Sequence, residues 1–325
     1  MSRGQRDDGT SSGQGGTQVT TASERAERLA LEPMRAATPP AGFFKGTGES
    51  LHDIWSRRDL IRRLTRREIR AKYKDSVLGV LWSLLKPFVN LLIYVLVLGR
   101  IMGAERSIPD FAIYVFTGLT AWQLFSDIIS TSTASIINNS GIIKKIQLPR
   151  EIFPISAAGA SLFNFLMQFM ILVLAVTILP LTSNATPPQL GANLLYLPYA
   201  LVLLLVWALT LGLALSALNV YLRDIQYLVE IALIVGMWAS PIVYSWEMVT
   251  KVAHGSSWIE GLYLANPVTL VVMGFQRSMW GAGADQVLAP HLLTRMSVSL
   301  VIGLISLGLA QRLFAVLQRN FAQEL

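Results

Sequence analysis

Residues 154–180 read PISAAGASLFNFLMQFMILVLAVTILP, a run of 27 residues without a charged side chain. A helix needs about 20 mainly apolar residues to cross about 30 Å of hydrocarbon, so this run is long enough to span a bilayer. The stretch therefore predicts a transmembrane helix and places the chain among the all-α membrane proteins.

Apolar segments of similar length lie on both sides of this one. Together they predict six spans, at 77–99, 111–131, 154–180, 195–219, 228–245 and 296–317. The region 246–295 is mixed, and its apolar part, 266–280, is too short to span and has Pro267 near its start. Short apolar segments are more often re-entrant or interfacial. We expect six transmembrane helices in a domain over 77–325, with a re-entrant helical hairpin between spans five and six.

The composition of the chain agrees with a membrane protein. Of its 325 residues, 53% are hydrophobic and 14% are charged, whereas an ordinary soluble domain has about 25% charged residues. The charge is concentrated, because 25 of the first 76 residues are charged against 22 of the other 249. This excludes an ordinary soluble enzyme, a nucleic-acid binder and a disulfide-stapled secreted domain. With no cysteine and three scattered histidines, no metal site is expected.

The residues before the first span divide into two parts. Residues 1–50 are rich in Gly, Ser, Thr, Gln and Pro, and we expect a disordered cytoplasmic tail. Residues 51–76 predict an amphipathic interface helix in the lipid headgroup plane, with Asp59 as its N-cap. The alternative is a solvated linker helix. The candidate headgroup contacts are the arginines of its basic face, Arg62, Arg63, Arg66, Arg67 and Arg70.

Basic residues are distributed unequally between the two sides of the predicted spans. With the N-terminus inside, 21 lysines and arginines fall on the cytoplasmic side and 5 on the outer side. Cytoplasmic loops of membrane proteins carry an excess of these residues. We therefore expect a multi-pass protein of the inner or plasma membrane with both termini in the cytoplasm.

The sequence offers little chemistry for an enzyme. The dipeptide Gly-Lys never occurs, so a nucleotide-binding P-loop is absent from the sequence. The carboxylates of Asp127, Asp224 and Glu230 lie near predicted span ends, and none lies near a bilayer midplane, where ion-coupled carriers usually need one. We expect no cofactor bound by this chain, and if the chain transports actively, its energy must come from another subunit.

Polar side chains form two stripes inside the predicted spans. In each stripe they recur at steps of three or four residues, so they share a helix face. One reading is a channel wall that offers hydrogen bonds and aromatic faces to a sugar chain, with Lys86 as a contact for an anionic head group. The other reading is contact between helices, with Lys86 snorkelling to the interface. The stripes are Trp82, Lys86, Asn90 and Tyr94 in span one, and Ser161, Asn164 and Gln168 in span three.

The loop 138–153 is the most informative segment outside the spans. A short helix between Gly141 and Pro149 would place isoleucines on one side, with basic residues beside them. One reading is a docking surface for a cytoplasmic partner, and the other is a set of charges that holds the loop inside. The residues concerned are Ile142, Ile143, Ile146, Lys144, Lys145 and Arg150.

Five groups of residues follow one another along the chain in a pattern that resembles the permease subunits of ATP-binding-cassette polysaccharide exporters. The resemblance covers about residues 51–325. The groups are Arg58-Asp59-Leu60 with Tyr73-Lys74-x-Ser76-x-Leu78-Gly79-x-x-Trp82 and Pro87; Ile143-Lys144-Lys145-x-x-x-Pro149-Arg150-Glu151-Ile152-x-Pro154; Tyr221-x-Arg223-Asp224-Ile225; Ser240-Pro241-Ile242-x-Tyr244; and Asn266-Pro267 with Arg277.

The resemblance implies a homodimer paired with two copies of a cytoplasmic ATPase that uses the ATP. It implies export of a polyprenyl-diphosphate-linked polysaccharide, of the O-antigen, teichoic acid or galactan type, across the inner membrane. It also implies a coupling helix in 138–153 that docks on the ATPase, with Pro149 and Glu151 beside it. We expect Arg223 and Asp224 in the next loop to contribute to the same docking.

The sequence is also compatible with two other functions. A membrane-embedded glycosyltransferase or acyltransferase needs an acidic or histidine base in a membrane-facing loop. The outer candidates for that base are Glu247, Glu260, Asp285 and His254. The other alternative is a lipid or drug exporter permease of the same broad fold.

Overall fold

A computed structural model describes residues 55–74, 79, 81–144, 148–182, 185–188, 191–254, 256–285 and 289–325. All of them belong to one unit of the chain, Ala41–Leu325. The predicted polar tail over 1–50 lies outside the described residues, as does the beginning of the predicted interface helix.

Helices make up nearly all of this part of the chain, and the described residues contain no strand. The helix α2 continues into a π-helical segment, Tyr94–Ile101. The helices are α1 Arg58–Tyr73, α2 Leu81–Ile93, α3 Phe111–Asn138, α4 Ser140–Ile143, α5 Ile152–Thr182, α6 Tyr196–Tyr221, α7 Ile225–Trp238, α8 Trp246–Val252, α9 Ser257–Ala265, α10 Pro267–Met279, α11 Leu292–Leu317 and α12 Phe321–Glu324.

Four helical stretches in the described part of the chain are long and apolar enough to cross a membrane. They have 28 to 30 residues each, and at about 1.5 Å per residue they exceed the thickness of the hydrocarbon layer. The protein is therefore a multi-pass membrane protein with an all-helical fold. The stretches are Phe111–Asn138, Ile152–Leu181, Ala192–Tyr221 and Leu292–Asn320.

The other two predicted spans coincide with shorter helices. Span one corresponds to α2 and its π-helical continuation, and span five corresponds to α7, which has 14 residues. The helix α7 ends at Trp238, seven residues before the predicted boundary, because a turn follows at Pro241. The carbonyl of Pro241 accepts hydrogen bonds from the hydroxyl of Tyr114 (2.9 Å) and from Nε2 of Gln276 (2.8 Å).

The region 246–295 contains the bent pair α9–α10. The two helices meet at Asn266 at an angle of 84°, and together they are apolar enough to count as a fifth membrane-crossing stretch. The side chain of Asn266 accepts a hydrogen bond from the amide of Val268 (3.0 Å), and Pro267 opens α10. Both features favour the start of a new helix at this point, which fixes the bend.

The helix α3 lies at the centre of the bundle and packs against α5, α6, α7 and α10. Helices in membranes approach closely at small residues. One such approach lies between α6 and α3, where an added side-chain carbon at Gly212 would come within 2.9 Å of the Ser132 Cβ. Buried hydroxyls on α3, such as Thr117 and Thr120, bond carbonyls one turn back in their own helix.

A second apolar cluster lies at the end of the bundle where α3, α6 and α11 finish and α5 begins. We call this end the loop side, because it carries the 138–153 loop. The cluster joins α1 to the ends of the long helices and to the last residues of the chain. Its buried members are Leu64, Ile136, Ile143, Ile152, Phe153, Leu213, Ala217, Val220, Ala310, Phe314 and Phe321.

Candidate functional site

The helix α1 packs on α5 at the loop side. It begins at Arg58 with Arg57 in the cap position and without a side-chain cap, so the prediction that Asp59 caps the helix is wrong. Its apolar face enters the loop-side cluster through Leu64, while the hydroxyl of Thr65 donates to the Ser156 carbonyl (3.3 Å). The apolar face of α1 thus contacts protein.

The basic face of α1 points away from the bundle. Arg62, Arg63, Arg66 and Arg70 are exposed, and Arg62 lies 3.8 Å from the carboxylate of Asp59. Their exposure allows contact with an anionic surface. Arg67 differs from them, because its guanidinium donates to the side-chain oxygen of Asn139 at the end of α3 and pairs with Glu68 at 2.8 Å. A role in lipid headgroup binding stays a prediction for these arginines.

Replacing Tyr73 by phenylalanine is expected to loosen α1 from α5. The Tyr73 hydroxyl donates to the side-chain oxygen of Asn164 at 2.6 Å, and the loss of such a bond destabilises a protein by about 1 kcal/mol. Tyr227→Phe is the matched control, because the Tyr227 side chain is 67% exposed. Thermal unfolding of the purified protein in detergent measures the difference. Equal midpoints for the two variants would contradict the expectation.

The 138–153 loop begins with the four-residue helix α4, shorter than the predicted helix between Gly141 and Pro149. Ile143 is buried in the loop-side cluster, Ile142 is half-buried, and Lys144 is exposed. Lys145 and Ile146 lie outside the described residues, and Pro149 is half-buried. Among the described residues of this loop, the exposed end of α4 is thus a part that a partner can reach.

Arg150 and Glu151 contact the end of the chain. The guanidinium of Arg150 donates to the backbone carbonyl of Gln318 and lies 5.6 Å from the centre of the Phe321 ring. The carboxylate of Glu151, a residue with 3% exposure, accepts a hydrogen bond from Nε2 of Gln318 (3.1 Å). Burial lowers the pKa of Arg150, and the charge of Glu151 opposes that shift. The side chain stays protonated, as arginine does in proteins.

The second predicted docking loop follows α6. Arg223 and Asp224 are both exposed. Just before them, the Tyr221 hydroxyl donates to the carbonyl of Leu317 at 2.7 Å. No sequence pattern predicts this contact, because it joins two residues that are 96 positions apart.

The polar stripe of α5 joins helices. The hydroxyl of Ser161 lies 3.2 Å from that of Thr131, and the amide of Gln168 donates to the hydroxyl of Thr120 (3.3 Å). Asn164 accepts the Tyr73 hydroxyl described above. These contacts favour the interpretation that the stripe joins neighbouring helices over the interpretation that it lines a channel.

The stripe of α2 is more exposed. The Trp82 side chain is 55% exposed and Asn90 is half-buried. The Tyr94 hydroxyl lies 3.7 Å from the sulfur of Met237 on α7. The side chain of Lys86 lies outside what the structure describes. A channel-lining role for this stripe stays a prediction.

A cavity of about 540 Å³ lies between α3, α6, α7 and α10. Its walls are almost entirely apolar, and the sequence analysis did not foresee it. Close to it, α7 exposes a row of large apolar side chains that begins at Tyr227 and ends at Trp238. Cavity residues from the four helices include Trp122, Phe125, Trp207, Leu211, Leu233 and Val268.

The four candidates for an enzymatic base lie in the region of α8, α9 and the segment before α11. Glu247 pairs with Lys251 at 2.8 Å within α8, and Glu260 is half-buried on α9. His254 follows α8 in a left-handed backbone conformation. The side chain of Asp285 lies outside what the structure describes. Within the described residues, no group of three or more potential ligands could hold a metal ion.

A model of the family described as "ABC-2 type transporter" matches residues 59–280, about two thirds of the chain. The chain belongs to the ABC-2 type transporter family. Membership in a family of ABC transporter membrane subunits implies a separate ATP-binding partner subunit.

Proteins similar to this ABC-2 transporter chain include permeases for surface polysaccharides. The "O-antigen export system permease protein RfbA" of Myxococcus xanthus is 26% identical over 276 residues, which cover 85% of this chain and 98% of the relative. A protein of the same name from Klebsiella pneumoniae is 26% identical over 218 residues, 67% of this chain and 79% of the relative. The "Polysialic acid transport protein KpsM" of Escherichia coli is 37% identical over 78 residues, 23% of this chain and 30% of the relative.

Proposed function

We propose that this chain is the transmembrane subunit of an exporter that moves a polyprenyl-diphosphate-linked polysaccharide across the inner membrane. A separate ATPase subunit supplies the energy, and two copies of the chain form the pathway. The observation that carries the proposal is the correspondence with the Myxococcus xanthus permease, which extends over nearly the whole of that protein. The apolar, multi-pass fold is consistent with this role.

The topology that we propose has six spans and both termini in the cytoplasm. Four spans are the long helices, and α2 with its π-helical continuation and α7 are the other two. The bent pair α9–α10 is the re-entrant hairpin, supported by its 84° angle and by the burial of most of α10. The excess of basic residues in the loops on the N-terminal side supports this orientation.

The ATPase docks, in this proposal, on the loop side. Described residues that are exposed there include Lys144 at the end of α4, and Arg223 and Asp224 after α6. The exposed arginines of α1 lie against anionic headgroups in the same leaflet, where polybasic segments bind.

The substrate path that we propose runs along α2. Trp82 and Tyr94 would stack on sugar rings, and Lys86 would attract the diphosphate. The exposure of Trp82 supports the idea, because a side chain that contacts substrate must be reachable.

In cells that make the polysaccharide, the gene for this chain is replaced by genes for its variants. The amount of surface glycan and the assembly of the chain with the ATPase are then measured. Export is expected to require an ATPase partner able to hydrolyse ATP. Trp82→Ala and Lys86→Ala are expected to lower export and to leave assembly with the ATPase unchanged. Phe88→Ala is the control, because Phe88 is also 55% exposed on α2 but lies off the stripe. Export without any ATPase would overturn the proposed function, and full export by both stripe variants would overturn the proposed path alone.

A further inference from the structure

The last residues of the chain contact the first of the two loops that are proposed to dock on the ATPase, and they also contact Tyr221, the residue just before the second loop. We call Leu317–Leu325 the C-terminal turn. Gln318 bonds the 138–153 loop twice, through its carbonyl to Arg150 and through its side-chain amide to Glu151. The carbonyl of Leu317 accepts the hydroxyl of Tyr221, which directly precedes the loop 222–224. These bonds join residues that are 96 to 168 positions apart in the sequence.

Ring packing holds the C-terminal turn in place. The Phe321 side chain is fully buried, and its ring meets the edges of Phe314 (5.6 Å between centroids) and Tyr221 (6.2 Å). The Arg150 guanidinium lies over the same ring. One buried phenylalanine therefore contacts the first loop, the end of α6 and the end of α11.

Movement of one loop without the other would break these contacts. Glu151 is buried and its carboxylate accepts a hydrogen bond from the Gln318 amide, and the loss of a hydrogen bond to a buried charge destabilises a protein. Gln318 can keep its bonds to Arg150 and Glu151 if the first loop moves together with the C-terminal turn. The hydrogen bond of Tyr221 to the carbonyl of Leu317 is likewise kept only if the start of the second loop moves with the C-terminal turn. Packed elements of this kind tend to shift as units between discrete arrangements.

We propose that the C-terminal turn is a positioning element that makes the two docking loops move as one body when the ATPase changes state. The inference rests on the proposed function, because it assigns a role to the turn in that transport cycle. Tyr221, Gln318 and Phe321 are its positioning residues, and they act through the loops without contacting the substrate. Without the turn, ATP hydrolysis would move the loops separately and would be coupled less tightly to export.

The test compares two conservative variants with a matched control. Tyr221→Phe removes the hydrogen bond between the turn and the end of α6 that precedes the second loop, and Gln318→Ala removes the side-chain hydrogen bond between the turn and Glu151 of the first loop. Tyr199→Phe is the control, because its hydroxyl donates to Ser297 (2.8 Å) and joins the same two helices, α6 and α11, near their opposite ends. The ATPase rate of the purified complex and the surface glycan of the cells are measured for each. The two variants are expected to use roughly 5-fold more ATP per glycan exported, at normal assembly, and the control is expected to match the wild type.

A distance measurement tests the mechanism directly. The chain has no cysteine, so Lys144→Cys and Arg223→Cys can carry a pair of spin labels without background labelling. In nanodisc complexes assembled from one labelled and one unlabelled copy of the chain, we expect one narrow distance distribution with and without ATP, and a broader one when Gln318→Ala is added to the labelled copy.

The outcomes separate this inference from the proposed function. Suppose that the wild type exports with ATP. If both variants then keep its ratio of ATP used to glycan exported, or if Gln318→Ala keeps the narrow distance distribution, the positioning role is wrong. The proposed function as an exporter subunit is not affected by either result. A wild type whose surface glycan does not depend on the ATPase overturns the proposed function, and the positioning role falls with it.

Discussion

Replacing Gly212 by valine is expected to separate α6 from α3 and to abolish export. A Cβ at this position would lie 2.9 Å from the Cβ of Ser132, closer than side-chain carbons pack. Ser132 cannot turn away easily, because its hydroxyl donates to the carbonyl of Pro154 at the start of α5 (3.1 Å). Three of the four long helices thus meet at this point. Overpacking of this kind costs about 3 kcal/mol, a large part of the stability of an ordinary domain.

The matched control for Gly212→Val is Gly308→Val. Gly308 also lies inside a long helix, α11, but an added Cβ there has no heavy atom within 4 Å. Both variants carry the same β-branched side chain, so its intrinsic effect on helix stability is the same in each. Thermal unfolding followed by size-exclusion chromatography in detergent measures both. The explanation by close helix packing is wrong if the two midpoints fall by the same amount.

The spans could be predicted because burial in a bilayer leaves a simple sequence signal. Four of the six predicted segments coincide with long helices, since a run such as 154–180 can satisfy its backbone only as a helix. The ends of the helices were harder to predict than their positions in the chain. The end of α7 depends on the turn at Pro241, which is held by Tyr114 and Gln276 from distant parts of the chain.

The candidate site could be predicted only in part. The stripe of Ser161, Asn164 and Gln168 is visible in the sequence, but its partners are not, because they lie on other helices. Arg150 and Glu151 stand out as charges in a loop, and their predicted role in docking stays a prediction. Their contact with Gln318 depends on how α11 returns to the loop side.

Replacing Phe321 by alanine is expected to release the Arg150–Glu151 end of the 138–153 loop from the C-terminal turn. The Phe321 ring is fully buried between Phe314 and Tyr221 and beneath the Arg150 guanidinium. Truncating a buried phenylalanine to alanine costs about 3 to 5 kcal/mol in a protein core. A large effect is therefore expected from a residue four positions before Leu325, in a segment to which the sequence pattern assigns no role.

Trypsin in inside-out membrane vesicles measures this release. Cleavage after Arg150 is expected to become much faster in Phe321→Ala, because the bonds of Arg150 to the C-terminal turn protect that peptide bond in the wild type. Cleavage after the exposed Lys144 is the internal reference and is expected to stay constant. Phe88→Ala serves as the control, since Phe88 is half-exposed on α2 and far from the loop in sequence. Phe321→Ala removes the ring that packs against Arg150, so the rate of cleavage after Arg150 must rise if the C-terminal turn holds the loop. An unchanged ratio of the two cleavage rates would show that the turn does not hold it.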